Sequence, residues 1–141
     1  MQHLDKFSHA GHNYKVSNYL DSCGESLNDW IVTTAFYSAI HYCQIGLFPG
    51  DYYVNNDKEL DHYTSFENFL TSFRNSSTAR TYASPHKARR WLIENQIDEI
   101  GYEYCALSDN CHIARYKNYR INDTDKNDSL EYLEEIKNFC S

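Results

Sequence analysis

The chain has 141 residues, enough for one domain (1–141) that buries about two-thirds of its unfolded surface. Its 13 Lys and Arg against 20 Asp and Glu leave a net charge of −7, which argues against diffuse polyelectrolyte binding over a broad basic face. Five Gly and two Pro provide too few turns for an all-β sandwich or barrel, while 13 Tyr, 7 Phe and 2 Trp supply core volume.

Met1–Ala10 has neither the basic nor the apolar region of a leader, and no run of 18 apolar residues occurs. The sequence therefore reads as cytoplasmic, without a membrane partner, and its five cysteines as free thiols. Cys105, Cys111 and His112 lie close together, but no CxxC or paired histidine spacing supports them, so neither a metal nor another cofactor is expected.

Helical periodicity runs through most of the chain. His3 to about Cys23 places Leu4, Phe7, Ala10, Asn13, Val16, Leu20 and Cys23 at steps of three or four. Ser26 and Asp29 form a capping box ahead of a helix over about 28–48. In it Ile31, Val32, Ala35, Phe36, Ala39, Ile40 and Cys43 make an apolar stripe, and the opposite face (Thr34, Tyr37, Ser38, His41) carries no charge. Such a helix is expected to be buried on most sides, with Tyr37 and His41 as a polar core face.

Pro49-Gly50 ends that helix, and a polar loop is expected to about Asp61. Phe66, Phe69, Leu70 and Phe73 mark a short amphipathic helix, and 75–83 reads as irregular. Ser84-Pro85, an N-cap followed by proline at the first helical position, starts a helix to about Glu99. Ile100, Tyr104, Leu107, Cys111 and Ala114 continue a stripe to about Tyr119, with a break or bend expected at Gly101. A charged loop over 122–128 then precedes a short closing helix carrying Leu130, Leu133, Ile136 and Cys140. The expected fold is all-α: an up-and-down bundle of about five helices around a buried central one.

Positive charge is concentrated in one window. Between Asn68 and Ile93 stand Arg74, Arg80, Lys87, Arg89 and Arg90 with no acidic residue, interleaved with Tyr82, His86 and Trp91. This pattern suits a local anion site, although surface neutralisation of the surplus carboxylates would also produce it. His86 falls in the first turn of its helix, where the macrodipole and neighbouring cations disfavour its protonation. With Arg89 and Arg90 at i+3 and i+4 it forms a candidate phosphate cradle; the plainer reading is a histidine hydrogen-bonded near a helix start. Arg80 precedes His86 by six positions, an R-x5-H spacing that suits metal-free RNA cleavage: the imidazole moves a proton and the guanidinium stabilises the phosphate. Arg115, with Tyr116, Lys117 and Arg120, forms a second basic patch, though helix C-termini attract cations for dipole reasons alone.

The blocks Asp29-Trp30 through Ala35-Phe36-Tyr37 to His41, then Pro85-His86-Lys87-Ala88-Arg89, then Ala114-Arg115-Tyr116, occur in an order that resembles the HEPN (higher eukaryotes and prokaryotes nucleotide-binding) superfamily. The resemblance covers about residues 4–119 and is most specific over 29–42. It implies a helical bundle that often dimerises, and binding of RNA or a nucleotide. In many members it also implies metal-independent endoribonuclease activity within toxin–antitoxin or anti-phage defence systems. The family's R-x4-6-H motif falls here on Arg80 and His86, though Thr81 and Pro85 depart from its usual setting.

The leading sequence reading is thus an RNA- or nucleotide-binding homodimer and candidate metal-independent endoribonuclease. Its catalytic residues would be Arg80 and His86, and Arg74, Lys87, Arg89, Arg90 and Arg115 would hold phosphate. The alternatives are a non-catalytic helical scaffold or antitoxin-like subunit docking a protein partner, and a small-molecule binder using Tyr37 and His41.

Overall fold

The computed structural model describes residues 6–24, 27–47, 52–56, 59–63, 66–67, 84–117 and 120–141. Among them the fold is helical apart from one ribbon. Its helices are α1 (Lys6–Ser22), α2 (Asn28–Leu47), α3 (Pro85–Gln96), α4 (Gly101–His112) and α5 (Asp123–Cys140). A 3-10 turn, Asp98–Ile100, joins α3 to α4, and a π-helical turn, Ile113–Lys117, extends α4. The ribbon corrects the sequence reading of 51–61 as a polar loop. Tyr52–Asn56 (β1) and Glu59–Tyr63 (β2) pair antiparallel, from Tyr52 opposite Tyr63 to Asn56 opposite Glu59.

Helix α2 packs against α1, α3, α4 and α5. The stripe of Ile31, Val32, Ala35, Phe36, Ala39 and Cys43 is buried, as expected, and Ala35, Ala39 and Cys43 have no solvent exposure. So are Ile100, Tyr104, Leu107, Cys111 and Ala114 across the α3–α4 join and α4, and Leu133, Ile136 and Cys140 on α5. Apart from Ile31, these residues meet in one core. On α1 the buried line differs: Ala10 and Ser17 face inward, with Tyr14 packed beside them, whereas Cys23 is exposed.

Polar contacts fix how the helices run. Ser38 Oγ donates to the Ala10 carbonyl at 2.8 Å, and His9 stacks on His41 with ring centroids 4.9 Å apart, setting α1 antiparallel to α2. The Tyr14 hydroxyl donates to Glu134 while Lys137 Nζ lies 4.0 Å over the Tyr14 ring, and Lys126 pairs with Asp21 at 2.5 Å; α5 thus returns along α1.

The break before α4 comes at Ile97 (φ −137°, ψ 55°), whereas Gly101 is helical (φ −61°, ψ −44°). A second correction concerns 122–128. Asn122 accepts from the Asp125 N–H at 2.7 Å, so the acidic run forms the first turns of α5. Asp123 and Asp125 suit that position because carboxylates offset the positive end of the helix dipole. The Ser26–Asp29 capping box and the stretch from Phe69 to Ala83 involve positions outside the described residues. Phe66 is buried and its N–H donates to Gln44 Oε1 at 3.0 Å.

Candidate functional site

Ser84 starts α3 as its sequence signals: Lys87 N–H donates to Ser84 Oγ at 3.1 Å and Pro85 occupies the first turn. That start points His86 toward α4, where its Nε2 lies 2.9 Å from Ser108 Oγ. Further along, Arg90 Nη2 donates to Asp109 Oδ1 at 2.7 Å and to the Cys105 carbonyl at 3.3 Å. Cys105 Sγ donates to Glu94 at 3.1 Å. His86 meets Ser108 and Glu94 meets Cys105, so the two helices run antiparallel.

Between α2, α3, α4 and the π-helical turn lies a cleft of about 380 Å³. His86 and Arg89 enter it from α3, Phe36, Tyr37 and Ile40 from α2, and Ser108, Cys111 and His112 from α4; Arg115 and Tyr116 complete it. Ser108, Cys111, His112 and Arg115 stand at i, i+3, i+4 and i+7, one face of a helix. The π turn, a widening found often at functional sites, carries Arg115. Arg115 Nη1 donates to the Tyr37 hydroxyl, and its guanidinium lies 5.8 Å from the Tyr37 ring centroid and 5.6 Å from that of Tyr116. His112 sits edge-tilted against Tyr116 at 5.1 Å.

The cleft's electrostatics follow from its composition. Among the described residues two guanidiniums and two imidazoles face it, and no carboxylate does. Burial, followed by Arg89, Arg90 and His112, lowers the pKa of His86, against a weaker opposing pull from Asp109. The neutral imidazole is therefore favoured. The buried Nε of Arg89 has no hydrogen-bond partner among the described residues. Tyr104, behind Phe36 at a ring distance of 5.5 Å, is fully buried; burial above all raises its pKa, while nearby Arg89 pulls it down. Burial likewise raises Cys111, against Thr33 and Arg115, so its thiol does not present a thiolate to the cleft.

The expected site residues divide. His86, Arg89, Arg115 and Tyr37 converge on this cleft. Arg90 leaves the face expected for it and pairs with Asp109, and exposed Lys87 does not line the cleft. Arg74 and Arg80 lie outside the described residues, and with them the R-x5-H pair. The polar core face is corrected as well. Tyr37 is 39% exposed at the cleft mouth, and His41 turns instead toward His9, its pKa lowered by burial and then by that ring. Sequence reasoning missed Ser108 and His112 as cleft residues, although their helical register with Arg115 was visible. Among the described residues no group of three or more His, Cys, Asp or Glu side chains could hold a metal, and no helix is long and apolar enough to cross a membrane.

No protein-family model, curated protein or solved structure matches this chain.

Proposed function

We propose that the cleft binds the phosphate and a neighbouring base of RNA or a nucleotide, and that the protein is a HEPN-like, metal-independent endoribonuclease acting as a homodimer. One observation carries the reading: Arg89, Arg115, His86 and His112 meet in a cleft edged by Tyr37 and Tyr116, with no carboxylate among its described lining residues. In a chain of net charge −7, such a confined cationic site engages RNA locally, at one phosphate, rather than along its whole backbone. Guanidiniums match phosphate geometry, and an exposed tyrosine face accepts a base by stacking. The neutral His86 imidazole can take a proton from a 2′-hydroxyl without a metal. A second reading, a helical module docking a protein partner, draws on Tyr19 and Trp30, which are exposed outside the cleft.

Fluorescence anisotropy with a single-stranded RNA, titrated at several salt concentrations, separates the two. Arg89→Ala and Arg115→Ala should each weaken binding and reduce the log–log salt slope by about 0.7. Arg90→Ala should leave the slope unchanged, because its charge is already taken up by Asp109. Cleavage by the wild-type protein should persist in excess EDTA. Unchanged slopes in both cleft variants would transfer the function to the exposed aromatic surface.

A further inference from the structure

Resting on the endoribonuclease reading, we infer that His112 is the second proton-transfer group of this cleft, so that one chain carries a complete His86–His112 acid–base pair for opening an RNA phosphodiester. Both imidazoles line the same cleft, and Ser108 lines it with them. Ser108 is hydrogen-bonded to His86 and stands one helical turn before His112 on α4.

The roles follow from their surroundings. His86 is half-buried, its Nε2 is engaged by Ser108, and Phe36 meets its ring edge-on at 6.0 Å. The tautomer that donates Nε2–H to Ser108 Oγ leaves Nδ1 as a lone-pair acceptor, the form a general base requires. Burial and the adjacent cations Arg89 and Arg90 keep that imidazole uncharged. His112 lies on the exposed side beside Tyr116, where its imidazole is open to water.

In the step itself, the 2′-oxygen of the ribose forms a bond to phosphorus as its proton passes to His86. The bond from phosphorus to the 5′-oxygen breaks, and that oxygen takes a proton from His112. The products are a 2′,3′-cyclic phosphate and a 5′-hydroxyl, with two protons exchanged and no oxidant, reductant or metal consumed. Arg89 and Arg115 face the charge that builds on the non-bridging oxygens.

The test uses two RNAs that differ at one atom, the scissile 5′-oxygen or a sulfur in its place, together with a 2′-O-methyl RNA that cannot react. A thiolate leaves without needing a proton, so only the oxygen substrate depends on a general acid. His112→Ala and His112→Gln should still be saturated by the unreactive RNA, and rates are compared at saturating substrate. Both should cleave the oxygen substrate about 10²–10⁴-fold more slowly and recover most of that loss on the sulfur substrate. His86→Ala should be slow on both. A His112 variant that cleaves the oxygen RNA at the unsubstituted rate, or is equally impaired on both substrates, would overturn the assignment while leaving the nuclease reading standing. Absence of cleavage by the unsubstituted protein on the sulfur substrate would remove the nuclease reading and this assignment together.

Discussion

His86 lies where three influences agree. Partial burial disfavours its cation, Arg89 and Arg90 repel it, and nearby His112 adds to the effect, while Asp109 opposes them. An unfolded imidazole takes up a proton near its ordinary value of about 6.5, and the native one resists doing so. Below that value the unfolded chain therefore binds more protons, and this histidine's share of stability is lost as pH falls. Urea unfolding between about pH 5 and 7 should show the stability of wild type rising with pH, and His86→Gln should make the rise shallower. Carboxylates contribute equally to both curves, so the difference in slope isolates His86 even if the variant is uniformly weaker from losing the Ser108 contact. Parallel curves would mean that His86 titrates alike in the folded and unfolded chain. His41 shifts in the same direction for a different first-order neighbourhood, burial followed by His9, and gives a second, independent test site.

At the level of elements, α2 and α5 meet closely at Gly46. A Cβ added at Gly46 would stand 2.9 Å from Cys140 Sγ and 3.2 Å from its Cβ, too near for either atom to stay in place. Glycine in a helix costs about 1 kcal/mol relative to alanine, whereas overpacking costs about 1–3 kcal/mol, so the clash is the larger effect. Gly46→Ala should therefore lower stability by about 1 kcal/mol in urea titration. Cys140→Ala in the Gly46→Ala background should restore part of it, with a favourable coupling in the double-mutant cycle. Additive effects would mean that α5 slides away without cost.

How much of this was legible varies with the range of the signal. The stripes of α2, α4 and α5 and the Ser84-Pro85 start of α3 are local, period-3.6 patterns, and they appear where they were expected. The first turns of α5 were misread because an acidic run looks like a loop until Asn122 is recognised as its cap. Half of the cleft could be named from α3 and the Arg115 patch. Ser108 lies 22 residues beyond His86, and only the antiparallel seating of α4 on α3 brings them into contact. The departure of Arg90 has the same origin: a partner 19 residues away, Asp109, outweighs its helical register with His86. Spacing along one helix carries no information about such pairings.

In the whole molecule, α2 is the element on which the other described helices converge, and it also supplies one wall of the cleft. Core and site should therefore fail together when α2 is disrupted from inside, and separately when the change lies on its surface. Ala39 has no exposed surface, so Ala39→Glu places a carboxylate where water does not reach it. An uncompensated buried charge costs about 3–5 kcal/mol, against a total stability of about 5–15 kcal/mol for a domain. That loss is large enough to leave much of the protein unfolded near its thermal transition. Trp30 lies on the same helix at 59% exposure, and Trp30→Glu introduces the same charge into solvent. Circular dichroism melting curves for the two variants, paired with RNA anisotropy, separate the cases. Ala39→Glu should melt at a much lower temperature and lose its RNA binding over the same transition, while Trp30→Glu should melt as wild type does. A cooperative wild-type melt for Ala39→Glu would mean that α2 can rotate its buried stripe toward water, which would also move Tyr37 away from Arg115 and dismantle the cleft.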